Sequence, residues 1–253
     1  MRNGFRNIGS YTLTKLDSIH SFLSFVGYFI IVVFKLLRRH KALSFTAMLK
    51  ILYLSGFRLC LPIMIISAMI GFSIAVTLYH LLGQFYLENK AFPITLELII
   101  GGIAPIFMGV ILAVQSSLNL INIQAQKLRH ESEELFHDFI LPVTLGIFVT
   151  GFLFYTYALF SFLSSSYITF QYALNANTLE NWEQFGNTIS FGVALNSYYR
   201  MMVYCVIVGL VVGYYYYRIH LNKISVRKGV SRIMTRSVLF IIIDSTGLNL
   251  LSF

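Results

Sequence analysis

Three ionisable residues of this chain interrupt long apolar stretches, where charged or titratable groups could do chemistry. Asp244 lies near the middle of the last stretch, and a carboxylate there costs about 2.5–3.5 kcal/mol on membrane-insertion scales. It should therefore face the interior of a helix bundle, where tethering a neighbouring helix is the favoured role and proton transfer is the alternative. Arg200 could either snorkel to the membrane surface or contact an anionic lipid headgroup. His80 is interpreted as a packed polar residue rather than a ligand.

The sequence carries no motif for covalent or nucleotide chemistry. It has no Gly-x-x-x-x-Gly-Lys phosphate loop, no His-Glu-x-x-His motif and no nucleophile elbow. Cys60 and Cys205 lie in or beside apolar stretches, which favours buried thiols over a disulfide or a metal site. We therefore predict that the chain is not an enzyme and holds no metal. Any energy input would come from an ion gradient or from another subunit.

The elements that must position these residues are five apolar stretches, near residues 59–86, 96–122, 139–164, 198–217 and 237–252. Four of them match or exceed the roughly 20 residues that a helix needs to cross about 30 Å of hydrocarbon, and the last is near the lower limit. With 57% hydrophobic and 11% charged residues, the composition predicts an all-α, polytopic membrane protein. Pro105 lies about ten residues into the second stretch, which predicts a kink or hinge there.

Positive charge is concentrated in alternate connections between the stretches. The net charge of +9 therefore indicates membrane topology rather than nucleic-acid binding, since basic connections lie in the cytoplasm. The other connections are poor in Lys and Arg, and the longest of them, residues 165–197, has none. Five crossings then place the C-terminus, Phe253, outside.

Residues 21–37 form a sixth apolar segment with basic residues on both sides. Because a simple crossing would put one basic flank outside, we predict an interfacial or re-entrant helix along the cytoplasmic leaflet, with a true crossing as the alternative. The predicted organisation is a cytoplasmic N-terminus with this helix over residues 1–57 and a transmembrane domain over 58–253.

A polar segment at residues 124–138 is too charged for the membrane core and predicts a short helix. Opposite charges or His–Glu pairs recur four residues apart, as on one helix face. The pairs are Lys127 with Glu131, Arg129 with Glu133, and His130 with Glu134. Such a helix could dock against a cytoplasmic protein or could be a solvated connection.

Several stretches resemble the MlaE/YrbE family of ABC-transporter permeases. Residues 229–238, Gly-Val-Ser-Arg-Ile-Met-Thr-Arg-Ser-Val, followed by Asp244, resemble the family segment Gly-Val-Gly/Ser-x-Ala-Thr-Thr-x-x-Val before its last span and the Asp within that span. Residues 101–105, Gly-Gly-Ile-Ala-Pro, stand where the family has Arg-Glu-Leu-Gly-Pro, and residues 139–142 stand at its Leu-Val-Leu-Pro-like start of the third span. Residues 56–58, Gly-Phe-Arg, stand at the family's Gly-Val-Arg, and Gly71 stands at a second family Gly further along the first span. The family's Arg-Glu pair and its Gly-Arg after the second span are replaced here.

The resemblance implies a homodimeric permease that moves phospholipid or a related lipid between the inner membrane and the outer envelope. It implies two separate ABC ATPase subunits, which would bind ATP and Mg²⁺, and an MCE-domain protein outside. Residues 124–138 would be the coupling helix, and its candidate ATPase contacts are Lys127, Arg129, Glu133, Glu134 and Phe136. The lipid-pocket candidates are Thr77, His80, Gly102, Arg200 and Asp244.

Two other classes of function stand beside this one. An ion-coupled secondary transporter would use Asp244 as its proton site, and a non-transporting scaffold would only anchor other proteins. The implied location is the bacterial inner membrane, with the plastid inner envelope as the alternative. No cofactor is expected in this chain, and neither lipid identity nor direction of transport can be predicted.

Overall fold

The protein is described by a computed structural model that covers residues 21–32, 34, 58–126, 140–174, 186, 188–221 and 224–251. Within these residues there are helices and no strands. The main helices are α1 Ser21–Val32, α2 Arg58–Gly83, α3 (Ala91–Leu98, a π-helical turn Ile99–Ile103, and Ala104–Gln126), α4 Leu141–Ala173, α5 Phe191–His220 and α6 Val226–Leu251.

Four of these helices, α2 to α5, are long and apolar enough to cross a membrane, and α1 is a shorter apolar helix. The fold class predicted from the sequence, a polytopic all-α membrane protein, is confirmed. The fifth crossing was expected in α6, which begins in the basic residues before the last apolar stretch. Within the described part of the chain, α6 is not among the helices that meet the length and composition of a span.

Helix α4 lies at the centre of the bundle, between α2 on one side and α5 on the other. Helix α3 packs against α4, α5 and α6, and α6 packs against α3 and α5. Helix α2 therefore lies at one edge, where it contacts mainly α4 and the first turns of α3. The two edge helices, α2 and α6, leave large apolar side chains exposed along their outer faces.

The contact between α2 and α4 is made by small residues and serine hydroxyls. Ser161 Oγ donates to the Met64 carbonyl and Ser165 Oγ donates to the Ala68 carbonyl, each at 2.6 Å. At Gly71 a Cβ atom would lie 2.9 Å from the backbone oxygen of Phe162, so only glycine allows this close approach. Without a hydrophobic driving force between helices in lipid, such close packing and hydrogen bonding hold membrane helices together.

Several helices extend beyond the apolar stretches that predicted them. Residues 165–197 were expected to be a connection, but α4 continues through a π-helical turn, Thr169–Ala173, and α5 begins at Phe191. Ser190 explains this start, because its side chain caps the helix by accepting from the Val193 N–H at 3.4 Å. Helix α3 begins five residues earlier than the expected start at residue 96, and Pro93 fits its first turn.

The N-terminal helix α1 packs against the end of α5. Phe22 meets the ring of Tyr214 edge-on at a centroid distance of 5.2 Å, and the Phe25 ring lies against Gly213. Phe25 is buried in the same hydrophobic core as α3, α4 and α5. Its predicted extension to residue 37 falls mostly outside the described residues, and its interfacial placement and the division at residue 57 stay predictions.

Candidate functional site

The π-helical turn of α3 changes which backbone carbonyls find a donor within the helix. The Ala104 N–H donates to the Ile99 carbonyl, five residues back, and is thus diverted from Ile100. The next residue, Pro105, has no N–H to offer to Gly101, its α-helical acceptor. The carbonyls of Ile100 and Gly101 therefore lose their usual helical donors, and membrane helices must satisfy such groups from neighbouring side chains or water. A kink or hinge was predicted at Pro105; the structure has a π-helical turn directly before it, and the kink or hinge stays a prediction.

Two side chains of α5, one turn apart, supply the donors for these carbonyls. Ser197 Oγ donates to the Ile100 oxygen, and Arg200 Nη1 donates to the Gly101 oxygen at 2.7 Å. Ser197 also hydrogen-bonds the Tyr155 hydroxyl of α4, so three helices meet at this point. Both α5 residues are buried, Arg200 with only 7% of its surface exposed. Snorkelling to the membrane surface is therefore the wrong interpretation of Arg200.

Asp244 of α6 belongs to the same polar cluster. The Arg200 guanidinium interacts favourably with its carboxylate by electrostatics. A charge inside a membrane protein is usually paired with another charge, which fits the tethering role that the sequence favoured for Asp244. The carboxylate oxygen Oδ2 of Asp244 is buried and has no hydrogen-bond partner among the described residues.

A second polar feature lies on the outer face of α2. Ser73, Thr77 and His80 are exposed and recur at i, i+4 and i+7, which places them on one face of the helix. The face that packs on α4 carries Gly71 and Ala75 instead. His80 is thus exposed, contrary to the packed environment expected for it, and its ring has an edge-on contact with its neighbour Tyr79.

Comparison with known proteins decides the family. The family model of the permease MlaE matches residues 48–251, most of the chain. The chain belongs to the MlaE permease family. Among curated proteins none matches this MlaE-family chain.

The fold of this MlaE-family chain divides the predicted lipid-pocket residues into two groups. Arg200 is buried in the bundle within electrostatic range of the partly exposed Asp244, whereas Thr77 and His80 lie on the outer face of α2. Gly102 adjoins the first group in sequence, but a Cβ atom added there would meet nothing within 4 Å, so it borders open space. One continuous pocket within a single copy is therefore not formed by these five residues.

Two residues of these groups were not predicted. Ser197 carries one of the two bonds to the π-helical turn, and Ser73 continues the polar face of α2 toward the middle of the helix. Their signals in the sequence are spacing alone: Ser197 precedes Arg200 by one turn, and Ser73 precedes Thr77 by one turn. Serines are common in membrane helices, so this spacing alone would not have distinguished them.

The predicted coupling helix cannot be placed in the permease. Helix α3 is described as far as Gln126, and Lys127, Arg129, Glu133, Glu134 and Phe136 lie outside the described residues. Within the described part, no group of three or more His, Cys, Asp or Glu side chains could hold a metal ion. The ATPase contacts therefore stay predictions.

Proposed function

We propose that this chain is the membrane subunit of an ABC transporter that moves phospholipid or a related lipid between an inner membrane and an outer envelope. Two copies form a dimer that works with separate ABC ATPase subunits and with an MCE-domain protein outside. The location is the bacterial inner membrane, with Phe253 outside, or the plastid inner envelope. Membership of the MlaE permease family supports the transporter class.

The observation that carries the proposal is the polar outer face of α2. Ser73 lies 15 residues after the start of this 26-residue helix, and Thr77 follows one turn later. Both therefore lie within the part of the helix that crosses the membrane. Polar side chains in membrane helices face another protein surface or a water-containing cavity rather than lipid tails. Because α2 packs mainly on α4, no other helix among the described residues covers this face, and a second copy or a cavity would account for it.

A second copy explains both requirements. If α2 faces the corresponding region of its partner, the polar side chains line the space between two copies and the apolar side chains beside them line its walls. Met69, which is 67% exposed and lies one turn before Ser73, adjoins the polar face of α2. A cavity with apolar walls and a few hydroxyl and imidazole groups suits a lipid, whose tails are apolar and whose headgroup is polar.

Energy must reach this cavity from another subunit. The sequence has no phosphate loop, so ATP would be bound and hydrolysed in a separate ATPase. Helix α3 connects the cavity with the predicted ATPase contact. Its first turns pack against α2, and its other end leads into the predicted coupling helix. Movement of the coupling helix would therefore be transmitted along α3 to the cavity.

Photo-crosslinking tests the cavity. A photoreactive amino acid at Thr77 in the native membrane should capture a second copy and a lipid whose yield changes when ATP is added. The matched control is Phe72, which is equally exposed on α2 but points away from the polar face. It should capture only membrane lipid, independently of ATP. Identical products from the two positions would contradict a cavity at this face.

Purification tests the assembly. Gentle isolation of the tagged protein from its native membrane should recover an ABC ATPase and an MCE-domain protein in stoichiometric amounts, identified by mass spectrometry. A homo-oligomer with neither would contradict the transporter assembly. Transport that persists without ATPase and stops when the proton gradient is removed would instead support the ion-coupled alternative at Asp244.

A further inference from the structure

Three arginines gather around two tyrosines where α5 ends and α6 begins. The Arg218 guanidinium lies 5.6 Å from the Tyr214 ring centre, and its Nη1 donates to the Tyr214 hydroxyl at 3.2 Å. The Arg236 guanidinium lies 5.5 Å from the ring centre of Tyr215. Together with Arg232, both guanidinium groups lie within electrostatic range of the Tyr215 hydroxyl. Three positive charges therefore share one small region.

This cluster has no nearby negative charge within the described residues. The carboxylates described are those of Glu88, Glu97 and Asp244. Asp244 is the only one on α5 or α6, and it lies two turns beyond Arg236, about 12 Å along the helix. The Tyr215 hydroxyl in the middle of the cluster is buried and has no hydrogen-bond acceptor there. The uncompensated positive charge calls for an anion that can accept hydrogen bonds from the arginines.

An apolar groove begins beside the arginines. It has a volume of about 320 Å³ and lies between α1, α5 and α6. Its lining is apolar except for one carboxylate: Phe22, Ile207, Leu210, Val211, Phe240, Ile243 and Asp244. Phe240 and Ile243 are 38% and 58% exposed, so the groove is open toward the surrounding membrane.

Helical spacing joins the cluster to the groove. On α6, Phe240 and Ile243 follow Arg236 by four and seven residues, and therefore share its face. On α5, Tyr214 and Val211 precede Arg218 by four and seven residues, with the same result. The facing sides of α5 and α6 thus carry arginines at one end and apolar groove residues at the other. Phe22 closes one side, because its ring stacks on Phe240 at 6.4 Å and meets Tyr214 edge-on.

We propose that this groove binds one anionic phospholipid. Its phosphate accepts hydrogen bonds from Arg218 and Arg236, with Arg232 adding charge, and one acyl chain lies along Phe240 and Ile243. Guanidinium groups match phosphate oxygens in geometry, and tyrosines at a membrane interface stabilise the headgroup region. The site is separate from the cavity proposed at α2 and requires only that the arginines lie at a membrane interface, so it does not depend on transport.

Native mass spectrometry of the purified protein tests the site, with phosphatidylglycerol as the anionic probe and phosphatidylcholine as the zwitterionic comparison. One phosphatidylglycerol per copy should stay bound in preference to phosphatidylcholine. Replacing Arg218→Gln and Arg236→Gln together should weaken its binding by roughly 30-fold, since each replacement removes a cationic contact. Arg227→Gln with Lys228→Gln, two exposed charges outside the cluster, is the matched control and should leave binding nearly unchanged.

Two further measurements separate a lipid from free phosphate. Ile243→Trp, at an exposed position of the groove wall, should fold normally and reduce lipid binding with all the arginines in place. Inorganic phosphate at millimolar concentration should not displace the lipid. If phosphate displaces it and Ile243→Trp has no effect, the site holds a soluble phosphate compound and the lipid proposal is overturned. Equal retention by the arginine variant and its control would also overturn it.

Discussion

The contact of α5 with α3 and the outer face of α2 both place polar side chains at membrane depth, yet they differ in burial. Ser197 and Arg200 of α5 are buried and donate to carbonyls that have no helical donor at the π-helical turn. Thr77 and its neighbours on α2 are exposed on the surface of the single chain. The first set completes the hydrogen bonding of the fold. The second set has no such role in the fold of one chain. The exposed polar side chains of α2 are therefore the better guide to function.

The comparison predicts that Arg200 acts mainly on stability. Replacing Arg200→Met should remove the donor to the Gly101 oxygen and leave the Asp244 carboxylate without its countercharge. Leaving a buried carbonyl without its charged donor costs about 3 kcal/mol, which should lower the apparent melting temperature by roughly 10 °C. The measurement is thermal unfolding in detergent. Adding Asp244→Asn to this variant should recover part of the loss, and an equal loss in both variants would show that the two charges do not interact.

The contact between α2 and α4 predicts a smaller effect at Gly71. In Gly71→Ala the new Cβ would lie 2.9 Å from the backbone oxygen of Phe162, so the two helices must separate. We expect a loss of about 1–3 kcal/mol of stability by the same measurement. Gly247→Ala is the matched control, since its Cβ would meet nothing within 4 Å. Similar behaviour of the two variants would show that α2 does not depend on this close approach.

A serine of the same contact should matter less. Ser165→Ala removes one neutral hydrogen bond to the Ala68 carbonyl, and such bonds between membrane helices average about 0.6 kcal/mol. The shift in melting temperature should therefore be small but larger than that of Ser164→Ala. Ser164 is the neighbouring control, for which the described chain gives no bond to α2. A shift at Ser165 comparable with that of Arg200→Met would remove the contrast between the two contacts.

Thr77 should have the smallest effect on stability and a clear effect on function. Because its side chain is exposed, Thr77→Leu should change stability by no more than about 0.5 kcal/mol. The variant should nevertheless carry less co-purified lipid per copy, or a smaller fraction of dimer, because the polar face is lost. Phe72→Leu is the control for a change on the same helix. Unchanged lipid and dimer in Thr77→Leu would place the function of the protein elsewhere.

Most of the fold could be predicted from the sequence, because long apolar stretches and alternating basic connections reflect the membrane itself. The exact ends of the helices could not. Hydropathy reports where a helix enters lipid, whereas α5 begins at a capping residue, Ser190, and α4 ends in a π-helical turn near Ala173. Apolar content therefore underestimates helices that extend beyond the membrane.

The candidate site was predictable only in part, for a different physical reason. Pro105 predicted a kink or hinge, and a π-helical turn lies directly before it, because the missing N–H is a local property of the sequence. The residue that compensates for it, Arg200, is 99 positions away from Gly101, and no local pattern identifies its acceptor. The burial of Arg200 and the exposure of His80 both depend on which faces the helices turn to one another, and sequence spacing alone leaves that choice open.

The two bonds at the π-helical turn also limit how the molecule can move. Ser197 and Arg200 hold successive carbonyls of α3 from successive turns of α5, so sliding either helix along the other would break both bonds at once. These helices must therefore travel as one rigid body. Helix α2 is attached to α4 through neutral serine bonds, which can be broken and remade one after another. An opening and closing of the bundle would thus move α3 and α5 together, and the change of position would occur between α2 and the rest of the bundle.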